Sequence, residues 1–213
     1  PAIGTVIPGG NHPYLLLDAG ANVECRPEML DAFATMGSVY MEKAMGVQNP
    51  SVALVNNGTE ESKGTPTYVA AHQLLKNNPH LHFVGNIEPK DVPKGDVNVV
   101  VCDGFVGNVI LKLTEGTAKM LVGEIKKVFM KNALSKLAFL LVKDGMKGFK
   151  AKLDADEHGG ALMMGVCKPV IKAHGSSGAK AFKNAIRQAK NCVESNVVEV
   201  MRTNLAATEV EEE

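Results

Sequence analysis

Four valines and a single polar residue, Asn98, occupy positions 97 to 101, "VNVVV", and the turn Cys102-Asp103-Gly104 follows them. A run with so little polar alternation is typical of a strand covered on both faces, so it predicts a central strand of a parallel sheet. Beyond a second glycine, Gly107, apolar residues recur at helical spacing, which predicts a helix. These residues are Val109, Leu113, Met120, Leu121 and Ile125.

A strand followed by a turn of small residues recurs elsewhere along the chain, in three cases with a helix after it. The stretches are "YLLLDAGAN" (14 to 22), "SVALVNNGTEESKGTP" (51 to 66), "LHFVGNIEPKDV" (81 to 92) and "PVIKAHGSSGAKAFKNAIRQA" (169 to 189). Strands that alternate with helices predict a doubly wound α/β fold. The glycine-rich lead-in "PAIGTVIPGG" is expected to be a loop, and a chain that opens this way without methionine is expected to be a fragment.

The turns of such a fold meet along one edge of the sheet, where they bring Asp, Asn, Lys, Gly and Ser to a common rim. That chemistry, with the free amides of a helix N-terminus, predicts a site for a phosphate-bearing ligand. Neither the dinucleotide fingerprint G-x-G-x-x-G nor the Walker pattern is present. For the turn at 103 to 108 alone, a plain strand-to-helix connection with Asn108 as the helix N-cap is the alternative.

Composition excludes several classes of protein. The 213 residues are 45% hydrophobic with a net charge of zero, which signals neither a nucleic-acid partner nor a bulk membrane surface. The four cysteines are far apart and lack metal-ligand spacing, so we expect no metal site and reduced thiols in a cytosolic protein. The longest apolar run is far shorter than the ~20 residues needed to cross a bilayer.

Residues 126 to 152 form a basic amphipathic segment in an otherwise neutral chain, with eight lysines and the single acid Asp144. Met130, Leu134, Leu137 and Leu141 mark one helical stripe, whereas Phe139, Leu140 and Val142 lie off it. The pattern predicts a protruding helical hairpin whose stripe packs in a dimer. The remaining apolar residues, at the hairpin tip, and the lysines are expected to meet an anionic membrane.

The stretches "LLLDAGAN", "GTEESKG", "FVGNIE", "VVVCDGFVGNVILK", "YMEKAMGVQNP" and "VIKAHGSSGAKAFKNAIRQA" closely resemble the bacterial phosphate acyltransferases of phospholipid synthesis. The resemblance covers nearly the whole chain but begins partway into the family's sequence, so residues 1–213 are expected to be the C-terminal portion of a single acyltransferase. Thr65-Pro66 and Gly178 stand where the family usually has Asn-Glu and Asp.

This resemblance implies a three-layer sandwich like those of phosphotransacetylases and isopropylmalate dehydrogenases, and a homodimer. It implies a cytoplasmic, peripherally membrane-associated enzyme that needs no cofactor and transfers a fatty acyl group from acyl-acyl carrier protein to inorganic phosphate. Short acyl-coenzyme A is the alternative acyl donor. A nicotinamide-linked dehydrogenase and a non-catalytic interaction module are alternatives from other classes.

Side-chain chemistry within these motifs suggests roles. Lys63 is expected to hold phosphate or the developing oxyanion, and Asn108 to donate to phosphate or to the thioester carbonyl. Their alternatives are a solvated lysine and a plain N-cap. Substrate-binding residues are expected at Asp18, Asn22, Gly58, Gly64, Asp103, Gly104, Gly107, His174, Ser176 and Ser177. Membrane or dimer contacts are expected at Leu137, Phe139, Leu140 and Leu141.

Three of these residues have more specific expectations. Asp103 repels free phosphate and is expected to organise its neighbours. His174 is a candidate donor to phosphate or to the leaving thiolate, with a structural histidine as the alternative. Cys102 is expected to be an inert core thiol, so no covalent acyl-enzyme is expected.

Overall fold

The computed structural model describes residues 1–152, 160–173 and 177–210. Its strands are β1 Ala2–Ile7, β2 Tyr14–Leu17, β3 Ser51–Val55, β4 His82–Ile87, β5 Val99–Val101, β6 Ala161–Met164 and β7 Val170–Lys172. Its helices are α1 Pro27–Lys43, α2 Pro66–Asn77, α3 Gly104–Met130, α4 Ala133–Lys152, α5 Ala179–Glu194 and α6 Val197–Val210, with a 3₁₀ turn at Val92–Lys94.

The described strands form one seven-stranded sheet in the order β4-β3-β5-β2-β1-β6-β7. The first four in that order are parallel, so the central strand predicted at 97–101 is confirmed as β5, between β2 and β3. Strands β1, β6 and β7 extend the sheet by antiparallel pairing. The expected loop at 1–10 was therefore wrong, because residues 4–7 pair with β2 and residues 2–4 pair with β6.

Alternation along the strands sends their side chains into two separate cores. Leu15, Leu17 and Val99 pack on the face covered by α1, α2 and α6. Tyr14, Leu16 and Val100 pack on the opposite face against the first turns of α3. Because strand side chains alternate between faces with period two, both sets are buried, and the predicted α/β class with helices on both faces is confirmed.

Helices α3 and α4 form the expected hairpin, which turns at residues 131–132. Gly104 and Gly107 are the fully buried residues of α3, and Val106, Ile110 and Leu111 pack partly buried against the core, so the ~40 Å helix leaves the body of the protein after its first two turns. The basic segment 126–152 is thus divided between the end of α3 and the whole of α4. Leu140, expected at the tip, lies two turns away from the connection.

Candidate active site

The loop after β2 is built around the fully buried carboxylate of Asp18. Its two oxygens accept backbone N–H groups from Ile3 (3.0 Å), Gly20 (3.0 Å), Ala21 (3.0 Å) and Asn22 (2.7 Å). They also accept the Asn22 side-chain amide at 2.8 Å. Because both oxygens of this buried carboxylate already accept hydrogen bonds within the protein, Asp18 organises the loop rather than facing substrate directly.

The N-terminus of α3 begins at a different residue from the one the sequence suggested. Asp103 is the N-cap, since its Oδ1 accepts the Val106 N–H at 2.8 Å, so the alternative assignment of Asn108 as N-cap was wrong. The Gly104 N–H donates to the Asn22 carbonyl at 2.6 Å, and the Asp103 N–H donates to the Tyr68 hydroxyl at 3.1 Å. Three of the four otherwise unpaired amides are therefore used inside the protein, which leaves little for an anion.

Gly104 and Gly107 allow α3 to approach the loop after β2. A Cβ on Gly104 would lie 2.7 Å from the Asn22 carbonyl oxygen, and a Cβ on Gly107 would collide with the Asp18 carbonyl oxygen. Both residues are buried. Their place in the motif is explained by backbone packing, because any side chain at either position would separate the two loops.

Asn108 lies on the second turn of α3, beside Gly20. A Cβ on Gly20 would lie 3.5 Å from the Asn108 Cβ, and Gly20 itself has φ +134°, a conformation that favours glycine. The Asn108 side chain is exposed and forms no hydrogen bond with any described residue. Its amide, with two donors and one acceptor, is therefore available to a ligand at this rim.

Lys63 lies in the loop that follows β3. Its stem covers Gly58, where a Cβ would lie 2.9 Å from the Lys63 Cγ. Within the part of the chain that the structure describes, its ammonium has no carboxylate within 4 Å. The next residue, Gly64, has φ +95° and leaves no room for a Cβ beside the Asn56 Oδ1, which would lie 2.7 Å from it.

Tyr68 on α2 joins the two loops, and sequence analysis missed it. Its hydroxyl donates to the Asp103 Oδ2 at 2.6 Å and accepts the Asp103 N–H at 3.1 Å. Burial, and then the bond to this carboxylate, raises the pKa of Tyr68. A single tyrosine one turn after a loop carries no motif, so the sequence alone gave no reason to select it.

The structure thus brings most of the predicted residues to the carboxyl edge of the parallel strands. Asp18, Asn22, Asp103, Gly104, Gly107 and Asn108 form one cluster, and Tyr68 links it to the loop of Gly58, Lys63 and Gly64. Strand β7, which precedes Ser177, ends toward the opposite edge, because β7 is antiparallel to β6, β6 to β1 and β1 to β2. His174 and Ser176 lie outside the described residues.

Cys102 is fully buried, and its thiol donates weakly to the Asp18 carbonyl at 3.7 Å. Burial, followed by the negative charges of Asp103 and Asp18, raises its pKa well above the ordinary value. A thiol held neutral in this way is a poor nucleophile, in line with the expected inert role. Among the described residues, no group of three or more His, Cys, Asp or Glu side chains is arranged to hold a metal ion.

The hairpin exposes apolar side chains along both helices. Leu141 is 86% and Leu134 76% exposed, and Leu137 and Leu140 are exposed as well. Phe139 differs from the expectation, because it packs against Phe129 across the hairpin with ring centroids 5.3 Å apart. Among the described residues, no helix is both long enough and apolar enough to cross a bilayer.

Comparison with known proteins identifies relatives of the whole chain. The sequence profile of a family described as "Fatty acid synthesis protein" matches residues 1–200. The "Phosphate acyltransferase" of Clostridium botulinum (strain ATCC 19397 / Type A) is 48% identical over 203 residues, which are 95% of this chain and 60% of that protein. The protein of the same name from Alkaliphilus oremlandii is 49% identical over 199 residues, or 93% of this chain and 59% of that one.

A solved structure, a branched-chain phosphotransacylase from Enterococcus faecalis V583, aligns with 91% of this chain and 66% of its own. Its TM-score is 0.53 at 16% sequence identity, a likeness of fold. The chain spans about 60% of the length of the acyltransferases it matches.

Proposed function

Since the chain belongs to the fatty acid synthesis protein family, we propose that its protein transfers a fatty acyl group from acyl-acyl carrier protein to inorganic phosphate. The observation that carries this proposal is the pair Lys63 and Asn108. Both are polar, exposed at the carboxyl edge and without a partner among the described residues, while the neighbouring carboxylates are already bonded. The names of the relatives support the same reaction.

In the proposed reaction a phosphate oxygen attacks the thioester carbonyl carbon, so that a C–O bond forms and the C–S bond breaks. The carrier's sulfur leaves as thiolate, and the product is an acyl phosphate. Phosphate is partly dianionic near neutral pH, so the step requires orientation and stabilisation of an oxyanion more than a strong base. Lys63 holds phosphate, and the Asn108 amide donates to the carbonyl oxygen as negative charge develops there.

The other residues of the cluster hold these two in place. Asp18 and Asn22 fix the loop beside Asn108, and Asp103 fixes the start of its helix. Gly58 leaves room for the Lys63 stem, and Gly64 allows the positive φ and the close approach to Asn56 that the loop requires. Ser177 is given no role in the proposed step, because β7, the strand before it, ends toward the other edge of the sheet.

Acyl carrier protein is favoured over short acyl-coenzyme A by the hairpin. The carrier presents an acidic surface, and residues 126–152 offer eight lysines against one aspartate. A soluble coenzyme has no need of such a surface. Measuring turnover against salt concentration distinguishes the two donors. If the lysines bind the carrier, turnover of its thioester falls steeply with added salt, whereas turnover of acyl-coenzyme A does not depend on salt.

The same hairpin is proposed to serve in a homodimer and in reversible membrane association. The hairpin exposes more apolar surface, through its leucines, than the surface of a monomeric soluble protein usually does. Leu134, Leu137 and Leu141 suit packing against a second copy, whereas Leu140 and the lysines suit an anionic bilayer at ~1 kcal/mol per lysine. Phe139 is left out of both surfaces, since it packs within the hairpin.

The proposed roles are tested by Lys63→Ala and Asn108→Asp in the complete gene product. Each is expected to lower phosphate-dependent turnover by a factor on the order of 100, as for loss of an oxyanion donor. Lys90→Ala is a matched control, because this exposed lysine is paired with Glu88 at 2.6 Å, whereas Lys63 has no carboxylate partner among the described residues. Turnover near that of the control in both variants would exclude the assignment.

A further inference from the structure

The turn that carries Lys63 is fixed at both ends by side-chain amides from other elements. Asn56, just after β3, donates from Nδ2 to the Lys63 carbonyl at 2.9 Å. Asn86, near the end of β4, donates from Nδ2 to the Glu60 carbonyl at 2.8 Å. The turn itself is closed by the Lys63 N–H, which donates to the Glu60 carbonyl at 3.1 Å.

The far end of the Asn86 amide is also held. Its Oδ1 lies 3.0 Å from the Nδ1 of His72 on α2. Because the Nδ2 of Asn86 is the donor to Glu60, its Oδ1 is the acceptor, and the Nδ1 of His72 is the donor in this contact. His72 is 3% exposed and packs edge-on against Phe83, with ring centroids 5.1 Å apart, so the imidazole has little freedom to turn.

These contacts matter because the Lys63 ammonium has no anchor of its own. Among the described residues no carboxylate holds it, so its average position depends on the backbone of the turn and on the stem over Gly58. A cation that must meet phosphate at hydrogen-bond distance loses effect when it is displaced by about an ångström. The amide of Asn86 is the contact that ties this turn to the sheet from the β4 side.

We propose that Asn86, oriented by His72, is a positioning residue that fixes the Lys63 turn for phosphate binding. The inference rests on the proposed function of Lys63 and extends it to residues that do not touch substrate. It also explains the presence of a buried histidine and an asparagine strand residue beside a loop whose own side chains are exposed.

Asn86→Asp in the complete gene product is the direct test. Aspartate keeps the shape and the acceptor for His72 but replaces the donor to Glu60 with an oxygen that repels that carbonyl. The KM for phosphate is expected to rise by a factor on the order of 10, with the KM for the acyl-carrier thioester within about twofold of wild type. An equal rise in both constants, or no rise, would overturn the proposal.

Asn98→Asp is the matched control. The Oδ1 of Asn98 accepts the Ser51 N–H at 3.0 Å before β5, at the opposite end of the parallel strands. Its Nδ2 has no partner among the described residues. The substitution therefore adds the same charge and removes no donor bond, and the KM for phosphate is expected to stay unchanged.

A double-mutant cycle separates positioning from a general loss of structure. If Asn86 acts through Lys63, Asn86→Asp changes turnover less than about twofold in a Lys63→Ala background. Effects that multiply would show that Asn86 acts elsewhere and would overturn the proposal.

Hydrogen exchange in this chain tests, independently of turnover, whether the Asn86 bond to the Glu60 carbonyl fixes the Lys63 turn. The Lys63 amide is expected to exchange at least about 10-fold faster in Asn86→Asp, with α1 amides unchanged. Unchanged exchange at Lys63 would overturn the inference even in an active enzyme. A wild-type gene product without phosphate-dependent turnover would instead refute the proposed function. Faster exchange at Lys63 in Asn86→Asp would still support the role of Asn86 in fixing the turn.

Discussion

Replacing Tyr68 with phenylalanine removes one hydroxyl and, with it, two hydrogen bonds that connect α2 to the start of α3. The hydroxyl donates to the Asp103 Oδ2 at 2.6 Å and accepts the Asp103 N–H at 3.1 Å. The N-cap bond from Asp103 Oδ1 to the Val106 N–H at 2.8 Å does not involve Tyr68 and is expected to remain. The perturbation is therefore confined to the link between the two loops of the site.

The expected loss follows from the kinds of bond removed. A hydrogen bond to a charged group contributes about 1.5–3 kcal/mol, and a neutral one about 0.5–1.5 kcal/mol. Because Asp103 is only half-buried, water replaces part of both. We expect Tyr68→Phe to lower the free energy of unfolding by about 1–3 kcal/mol, which lowers Tm by roughly 2–4 °C per kcal/mol in a chain of this size.

Urea unfolding of this chain, followed by far-ultraviolet circular dichroism, measures the change. Tyr14→Phe is the matched control, because the Tyr14 hydroxyl is buried and has no partner among the described residues. Removing an unpaired buried hydroxyl is expected to be neutral or stabilising. The reasoning is refuted if Tyr68→Phe is as stable as wild type, or if Tyr14→Phe costs as much.

Four further predictions concern packing, alkaline stability, thiol reactivity and the hairpin. Gly107→Ala is expected to destabilise the chain by about 2 kcal/mol or more in urea unfolding, because the new methyl group collides with the Asp18 carbonyl oxygen. Gly116→Ala on the same helix, with open space around the new methyl group, is the control and should be neutral or stabilising. Equal effects of the two substitutions would contradict the packing argument. Burial raises the pKa of Tyr14 and Tyr40 to about 12, above the value near 10 in the unfolded chain. Because the unfolded state then releases protons first, the free energy of unfolding is expected to fall between pH 10 and 12 by up to about 1.4 kcal/mol per pH unit for each tyrosine. A free energy of unfolding that stays constant over this range in urea titrations would be evidence against this. Exposed Cys167 is expected to react first with a thiol reagent, and buried Cys102 last. Cys25 should react at an intermediate rate, because burial and the nearby Asp103 and Asp18 raise its pKa to about 11. Mass spectrometry of the partly labelled chain checks this order, and early labelling of Cys102 would contradict it. Leu140→Glu is expected to abolish flotation of the protein with anionic vesicles at low salt without changing its dimer mass, whereas unchanged flotation, or dissociation to monomers, would count against the membrane role.

Sequence analysis found the parts of the fold that local patterns specify and missed those set by distant pairing. The continuous Val run of β5 and its following helix were evident because burial on both faces imposes an unbroken apolar pattern. Strand β1 was missed because its glycine and threonine resemble a loop; its partner β2 follows closely along the chain, but its other partner, β6, is distant in sequence. The same antiparallel pairing directs the end of β7, the strand before Ser177, toward the other edge.

The site shows the same division. Asp103 and Asn108 are equally good caps by residue type, and the structure shows that Asp103 caps α3, through its bond to the Val106 N–H, while the Asn22 carbonyl accepts the Gly104 N–H. Lys63 and Asn108 were selected from their motifs, whereas Tyr68, Asn86 and His72 act through bonds between elements and carry no local signature.

The central claim is that acyl transfer to phosphate occurs at this edge, and one measurement tests it most directly. The complete gene product is mixed with long-chain acyl-acyl carrier protein and inorganic phosphate, and acyl phosphate is trapped with hydroxylamine while carrier thiol is counted. We predict one acyl phosphate per thiol released, with neither product formed when sulfate replaces phosphate, and with both formed more slowly in Lys63→Ala by a factor on the order of 100. Thiol release that is independent of phosphate, or turnover of short acyl-coenzyme A alone, would contradict the account.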